Sequence, residues 1–181
     1  MDNQKLESYT TDLYALVNHT LTVVRNQKSS DKVTHPKAID LLHDLDLALN
    51  NQVREFNELD GSLEESAEKT IKEKLASAAG KVAGYIDTAR GDAASKMLRD
   101  DYTALSMIAS GYTMLHTAAL GAGNDELAEF TKESLTRIAQ LITDTSIVIP
   151  HVVAEELEIS DIANEAENNT QQAWDPENFM A

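Results

Sequence analysis

The chain has 181 residues, 42% of them apolar, and a formal net charge of −16; this length and composition suit one folded domain with a sizeable core. The charge comes from 31 acidic against 15 basic residues, a balance that repels phosphate backbones and anionic lipid and argues against nucleic-acid or membrane partners. With no cysteine anywhere, disulfides, thiolate metal sites and cysteine nucleophiles are excluded.

Only three prolines and seven glycines interrupt the chain, which favours long helices over a turn-rich β fold. The first residues, Met-Asp-Asn-Gln-Lys, are polar, and no run approaches the roughly 18 apolar residues of a membrane span. A cytoplasmic protein is expected.

In chain order, Leu6, Tyr9, Leu13, Leu16, Val17, Thr20 and Val24 recur at three- and four-residue steps, which predicts a helix from about Leu6 to Arg25 with that stripe inward. Polar residues 26–34 read as a loop, and Pro36 is placed for the first turn of a second helix. That helix carries Leu42, Leu45, Leu49, Val53 and Phe56 and closes at Asp60-Gly61. Ser62 and Glu65 form a capping-box pattern, and Glu65 with Lys69 and Glu68 with Lys72 are favourable i,i+4 pairs. The alanine-rich stretch 75–90 is lean in large apolar groups, and Gly80 and Gly84 weaken it. It reads as a long helical crossover, not a core element.

The next helix is expected from about Ala93 to Leu120, with Leu98, Tyr102, Leu105, Ala109, Tyr112, Leu115 and Ala119 inward. Gly121-Ala-Gly123 ends it, and Asn124 or Asp125 caps its successor. The last long helix presents Leu127, Phe130, Ile138, Leu141, Ile142 and Val148, and Pro150 is expected to kink or break it. Residues 158–181 hold six carboxylates (Glu158, Asp161, Glu165, Glu167, Asp175, Glu177) and no Lys or Arg. They read as an acidic C-terminal tail, helical at its start and otherwise flexible, beyond a helical domain of residues 1–157. Two helices, a crossover and two more helices are the layout of bundles with one long connection.

The run Ile108-Ala-Ser-Gly-Tyr-Thr-Met-Leu-His116, within the segment from Asp101, and the ending Ile149-Pro-His-Val-Val153 resemble the third and fourth bundle helices of a bacterial, stress-associated, ferritin-like family of unassigned biochemical function. The resemblance covers roughly residues 5–157. It implies an all-α, ferritin-like four-helix bundle with a long helical crossover between helices 2 and 3, and a homodimer or higher oligomer. Ferritin-like di-iron proteins draw a Glu from each of two helices and a Glu-x-x-His from each of the other two. This chain has no Glu-x-x-His; its nearest approach is Asp40-Leu-Leu-His43. The third bundle helix is read with no inward carboxylate, and Glu133 is followed at i+3 by Thr136. Without such carboxylates, two irons in a low-dielectric core stay unneutralised. No cofactor is expected, and the leading expectation is a non-catalytic structural or interaction protein in a stress context.

Two other readings follow from particular residues. Asp40, His43 and His116, with Asp12 or His19, are candidate ligands for iron or another divalent metal in an unconventional metal-binding or oxidase site. The commoner roles are an Asp-rich exposed face for Asp40 and His43, a hydrogen-bonded core histidine for His116 and a boundary position for His19. His151 and Glu155 read as an ordinary i,i+4 surface pair. Tyr102 and Tyr112 share a face and read as core residues with satisfied hydroxyls. In the tail, Trp174, Phe179 and Met180 are large apolar groups in an acidic setting, suited to docking on the protein itself, on a second copy or on a protein partner. No nucleophile elbow or phosphate-binding glycine loop occurs.

Overall fold

A computed structural model of the chain describes residues 3–60 and 93–175. Among these residues the protein is all-helical. The elements are α1 (Asn3–Lys28), α2 (Pro36–Asp60), α3 (Ala94–Ala122), α4 (Asp125–Glu156), a 3₁₀ turn (Ser160–Ile162) and α5 (Ala163–Trp174). The capping box at Ser62, the Glu–Lys pairs and the alanine-rich stretch fall outside the described residues.

Local chemistry sets the helix ends. Pro36 opens α2, and the His35 side chain caps it, its Nδ1 accepting the Lys37 amide at 3.2 Å. α3 stops at Gly123, whose φ of 69° is left-handed; glycine adopts that conformation without a Cβ clash. Asn124 then caps α4, its side chain accepting the Leu127 amide at 3.0 Å. At the far end of α4, Glu158 takes the left-handed conformation at φ 58°, and the Ile159 amide returns to the Ala154 carbonyl at 2.8 Å. This closure turns the chain toward α5.

The four long helices lie against one another with every neighbouring pair antiparallel. Tyr14 of α1 reaches Asn57 of α2, while Arg25 reaches Asp46. Gly111 of α3 faces Leu13 of α1, while Asp101 meets Gln27. Lys37 of α2 meets His151 of α4, while Glu55 meets Arg137. Helices α1 and α4 therefore run one way and α2 and α3 the other. It follows that α2 ends at the lower end and α3 begins at the upper end, where α1 finishes.

Between the helices sits one core, including Leu42, Leu45, Leu49, Leu105, Ile108 and Ile138. Its lower half is aromatic: Phe56 lies 5.6 Å from Tyr14, 6.0 Å from Tyr112 and 5.0 Å from Phe130, centroid to centroid. A Cβ at Gly111 would come within 2.7 Å of Leu13 Cδ1, so the Leu13 side chain packs directly on the α3 backbone there.

Four local expectations are revised. Tyr9 is 39% exposed, and the buried positions beside it are Thr10 and Thr11, whose hydroxyls bond the carbonyls of Leu6 and Glu7. A threonine that satisfies its own hydroxyl along the helix buries cheaply, which rotates the stripe. Helix α1 runs on to Lys28, past the expected start of the loop at Asn26. Pro150 lies inside α4, which continues to Glu156. One missing backbone bond is outweighed there by the burial of Val148, His151, Val152 and Ala154. The segment after Leu157, expected to be helical at its start and loosely held beyond, forms the 3₁₀ turn and α5 over residues 160–174, with α5 against α4.

Candidate functional site

Among the described residues, one polar cluster lies at the upper end, where α2 begins, α4 finishes and α5 packs on α4. Lys37 Nζ is 2.7 Å from Glu167 Oε2 and 2.7 Å from His151 Nε2. Glu167 Oε2 also bonds His151 Nε2. The His35 ring tilts against His151 at 5.7 Å. His151 itself is buried, whereas Lys37 and Glu167 are reached by solvent.

One imidazole nitrogen thus faces an ammonium and a carboxylate at once. With its proton on Nδ1, His151 accepts from Lys37; with its proton on Nε2, it donates to Glu167. Hydrogen bonds from Lys37, then His151, hold the Glu167 carboxyl below the usual range. The cluster joins α5 to the body. The one buried residue of α5 is Ala163, and Trp174 packs on Tyr102 at 6.3 Å while remaining 45% exposed.

The expected outcome for Glu167→Gln or Lys37→Ala is an unlatched α5 with an intact body. Global stability falls by less than about 1 kcal/mol, as for solvent-exposed pairs, while amide exchange along 163–174 accelerates and Trp174 fluorescence shifts. Because the Glu167 pKa is depressed, its contribution is present above the ordinary carboxylate range and is lost as pH falls through its lowered value. Acid should therefore release α5 in the wild type and leave Glu167→Gln unaffected at this step.

The interior holds two further polar pairs. Tyr112 Oη donates to Gln52 Oε1 at 3.0 Å; both residues are fully buried, and burial pushes the phenol pKa up. Arg137 spans from Glu55 at 2.6 Å to Ser134 Oγ at 3.0 Å nearby. Higher up, Gln27 Nε2 donates to Asp101 Oδ1 at 3.0 Å, both groups buried. Asp101 corrects the expectation that the third long helix carries no inward carboxylate. Burial raises its pKa from 3.8 to about 7, and the charge of Asp100 adds to the shift.

The sequence candidates are scattered. Asp40 and His43 lie exposed on the upper part of α2. His116 lies at the lower end, its Nδ1 2.9 Å from the Ala128 carbonyl and 3.1 Å from Thr131 Oγ1. At 1.5 Å per residue along α4, roughly 25 Å separates that level from Asp40 and His43. Asp12 is exposed, and His19 is half-buried with Nε2 unpartnered and its pKa lowered by desolvation. His151 does not pair with Glu155, which bonds Thr34 at 3.3 Å; His151 faces Lys37 and Glu167. Tyr102 meets Trp174. Phe179 and Met180 fall outside the described residues. Among the described residues, no group of three or more His, Asp or Glu side chains converges as a metal site would require.

Sequence reasoning missed Gln27, Gln52 and Asp101. Each continues an apolar stripe by one helical step: Gln27 follows Val24 at i+3, Gln52 follows Leu49 at i+3, and Asp101 precedes Leu105 at i−4. That spacing was the available signal. Compared with known proteins, the chain matches no family model, no curated protein and no solved structure.

Proposed function

We propose that this chain is a ferritin-like four-helix bundle acting as a structural or interaction protein, with the conventional di-iron chemistry of such bundles given up. The observation that carries the reading is the path of the four long helices together with what lies between them. All neighbours are antiparallel, and α2 ends at the opposite end from where α3 begins, which is the connectivity of bundles with one long crossover. Between its four long helices, where a di-iron protein converges carboxylates and histidines, this chain packs Leu45, Leu49, Ile108 and Ile138, and below them Phe56, Tyr112 and Phe130, with Tyr112 bonded to the neutral amide of Gln52. A phenol and an amide do not neutralise two divalent or trivalent cations. The separation of Asp40 and His43 from His116 favours this reading over an unconventional metal or oxidase site. The contact of Trp174 with Tyr102 favours docking of the tail on its own body over presentation to a protein partner.

The stress context and a homodimeric or higher assembly rest on the resemblance of the third and fourth helices. A cytoplasmic setting agrees with the absence, among the described residues, of any helix long and apolar enough to cross a membrane. Two measurements on untagged protein test the proposal. Metal analysis should find no stoichiometric iron, manganese or zinc, and light scattering should give a mass at least twice the monomer's 19.9 kDa. Stoichiometric metal lost in both His43→Ala and His116→Ala would overturn the non-metal reading, and a strict monomer would overturn the assembly.

A further inference from the structure

Two buried oxygens in the upper half of the molecule lack partners: Gln27 Oε1 and Asp101 Oδ2. They belong to the same two side chains that already share the bond from Gln27 Nε2 to Asp101 Oδ1 at 3.0 Å. Both residues are almost completely enclosed between α1 and α3, with Asp101 2% exposed. Two buried acceptors left unpaired, one of them on an anion, are an expensive arrangement. A single proton removes both faults.

We propose that Asp101 holds a proton in the folded protein and that its carboxylic acid closes a two-bond clasp with Gln27, joining α1 to α3 in a pH-dependent way. A proton on Oδ2 turns that atom into a donor, and the Gln27 carbonyl is the orphan acceptor of the same amide. The acid and the amide then match as donor–acceptor and acceptor–donor. Deprotonation withdraws one bond and leaves an anion buried.

The surrounding charges favour the neutral acid. On α3, Asp100 adds a like charge and is itself engaged by Arg99 at 2.8 Å. On α1, the cations Arg25 and Lys28 are drawn to Asp46 of α2, at 2.9 and 2.6 Å. From α4, Glu156 binds Ser95 at the start of α3, and Glu167 of α5 is taken by Lys37 of α2. Burial is the main cause that raises the Asp101 pKa to about 7; the bond from Gln27 works against it, and the like charge of Asp100 adds to the rise. The clasp therefore titrates near neutrality.

The sign is definite. The folded pKa, about 7, lies above the ordinary 3.8, so between these values the folded state binds more protons than the unfolded state. The contribution of Asp101 is complete at low pH and is lost as pH rises through about 7. The decisive variant is Asp101→Asn, whose amide donates to Gln27 Oε1 and accepts from Gln27 Nε2 with no proton to lose. Urea unfolding of the full chain, wild type beside D101N, should be followed from pH 5 to pH 9.

Near pH 5 the two midpoints should agree closely. Above pH 8 the variant should be the more stable, its folding equilibrium constant exceeding the wild type's by at least tenfold and at most about a hundredfold, the bound set by the roughly two pH units between pH 5 and the folded pKa of about 7. A wild-type-to-variant difference that does not change with pH, or a variant less stable above pH 8, overturns the proposal. Independently of unfolding, the carboxyl carbon resonance of Asp101 should move with a midpoint near 7. A resonance already that of a carboxylate at pH 5 also overturns it.

Discussion

Phe56→Ala should destabilise the protein by about 3–5 kcal/mol, the range for large aromatic truncations in close-packed cores. For a chain of this length that corresponds to a fall in melting temperature on the order of 10 °C. The reason is positional. Phe56 lies on α2, is 4% exposed, and touches Tyr14 of α1, Tyr112 of α3 and Phe130 of α4. One ring thus ties all four long helices together. Its neighbours are large and mutually braced, Tyr112 meeting Phe130 edge-on at 6.0 Å, so the space left behind collapses poorly. Thermal and urea unfolding followed by far-ultraviolet circular dichroism measure the loss, and Phe56→Leu should recover most of it. A loss below about 1 kcal/mol for the alanine variant would show that the lower half repacks freely, against the expectation for a dense aromatic core.

Tyr112→Phe should be the second large effect, with a loss of about 1–3 kcal/mol from a change of one oxygen atom. The Tyr112 hydroxyl is the partner of Gln52 Oε1, while Gln52 Nε2 is already buried without one. Removing the phenol oxygen leaves the whole amide enclosed and unbonded. Gln52→Leu alone removes the acceptor of the tyrosine hydroxyl, which keeps its contact with Ser134, and should also destabilise. The double variant Tyr112→Phe with Gln52→Leu removes both halves of the pair and should lie closer to wild type than the sum of the single changes. The coupling, measured as a double-mutant cycle in urea, should be at least about 1 kcal/mol. Strict additivity would mean that the buried phenol and amide do not depend on each other.

The stripes of the long helices were legible because periodicity is a property of neighbours in sequence. Leu42, Leu45, Leu49 and Phe56 on α2, and Leu98, Leu105, Tyr112 and Leu115 on α3, are buried where the spacing puts them. The stop at Gly123 and the cap at Asn124 were legible for the same reason, since both act within one turn. The polar members of those stripes were not. Gln27, Gln52 and Asp101 occupy inward steps, yet a glutamine or aspartate reads as solvated until a partner on another helix is known. Asp101 follows Arg99 and Asp100, which gives its segment the look of an exposed face. Tyr9 failed in the opposite sense: its side chain fits a stripe, but Thr10 and Thr11 turn inward at little cost.

The upper-end cluster shows the limit most clearly. Lys37, His151 and Glu167 lie 114 and 130 positions apart in the pairs that join them, and nothing local marks any of them as a partner of the others. Glu167 lies in a segment whose composition is that of a tail. A helix of such composition becomes stable only when a cation on another element neutralises it and a surface receives it.

By itself, the sequence determined that this protein is helical, where its long helices run, which apolar side they bury, and that no thiol chemistry is open to it. Those properties follow from residue identity and from spacings of three and four. Only the tertiary structure decided that α1 and α3 share a buried amide–carboxyl pair, that α5 is latched by Lys37, and that Asp40 and His43 lie far from His116. These depend on which side chains meet across separate helices. Burial changes a carboxyl's proton affinity, and a partner at hydrogen-bond distance changes whether a polar group is tolerated. Both effects arise once the chain has closed on itself.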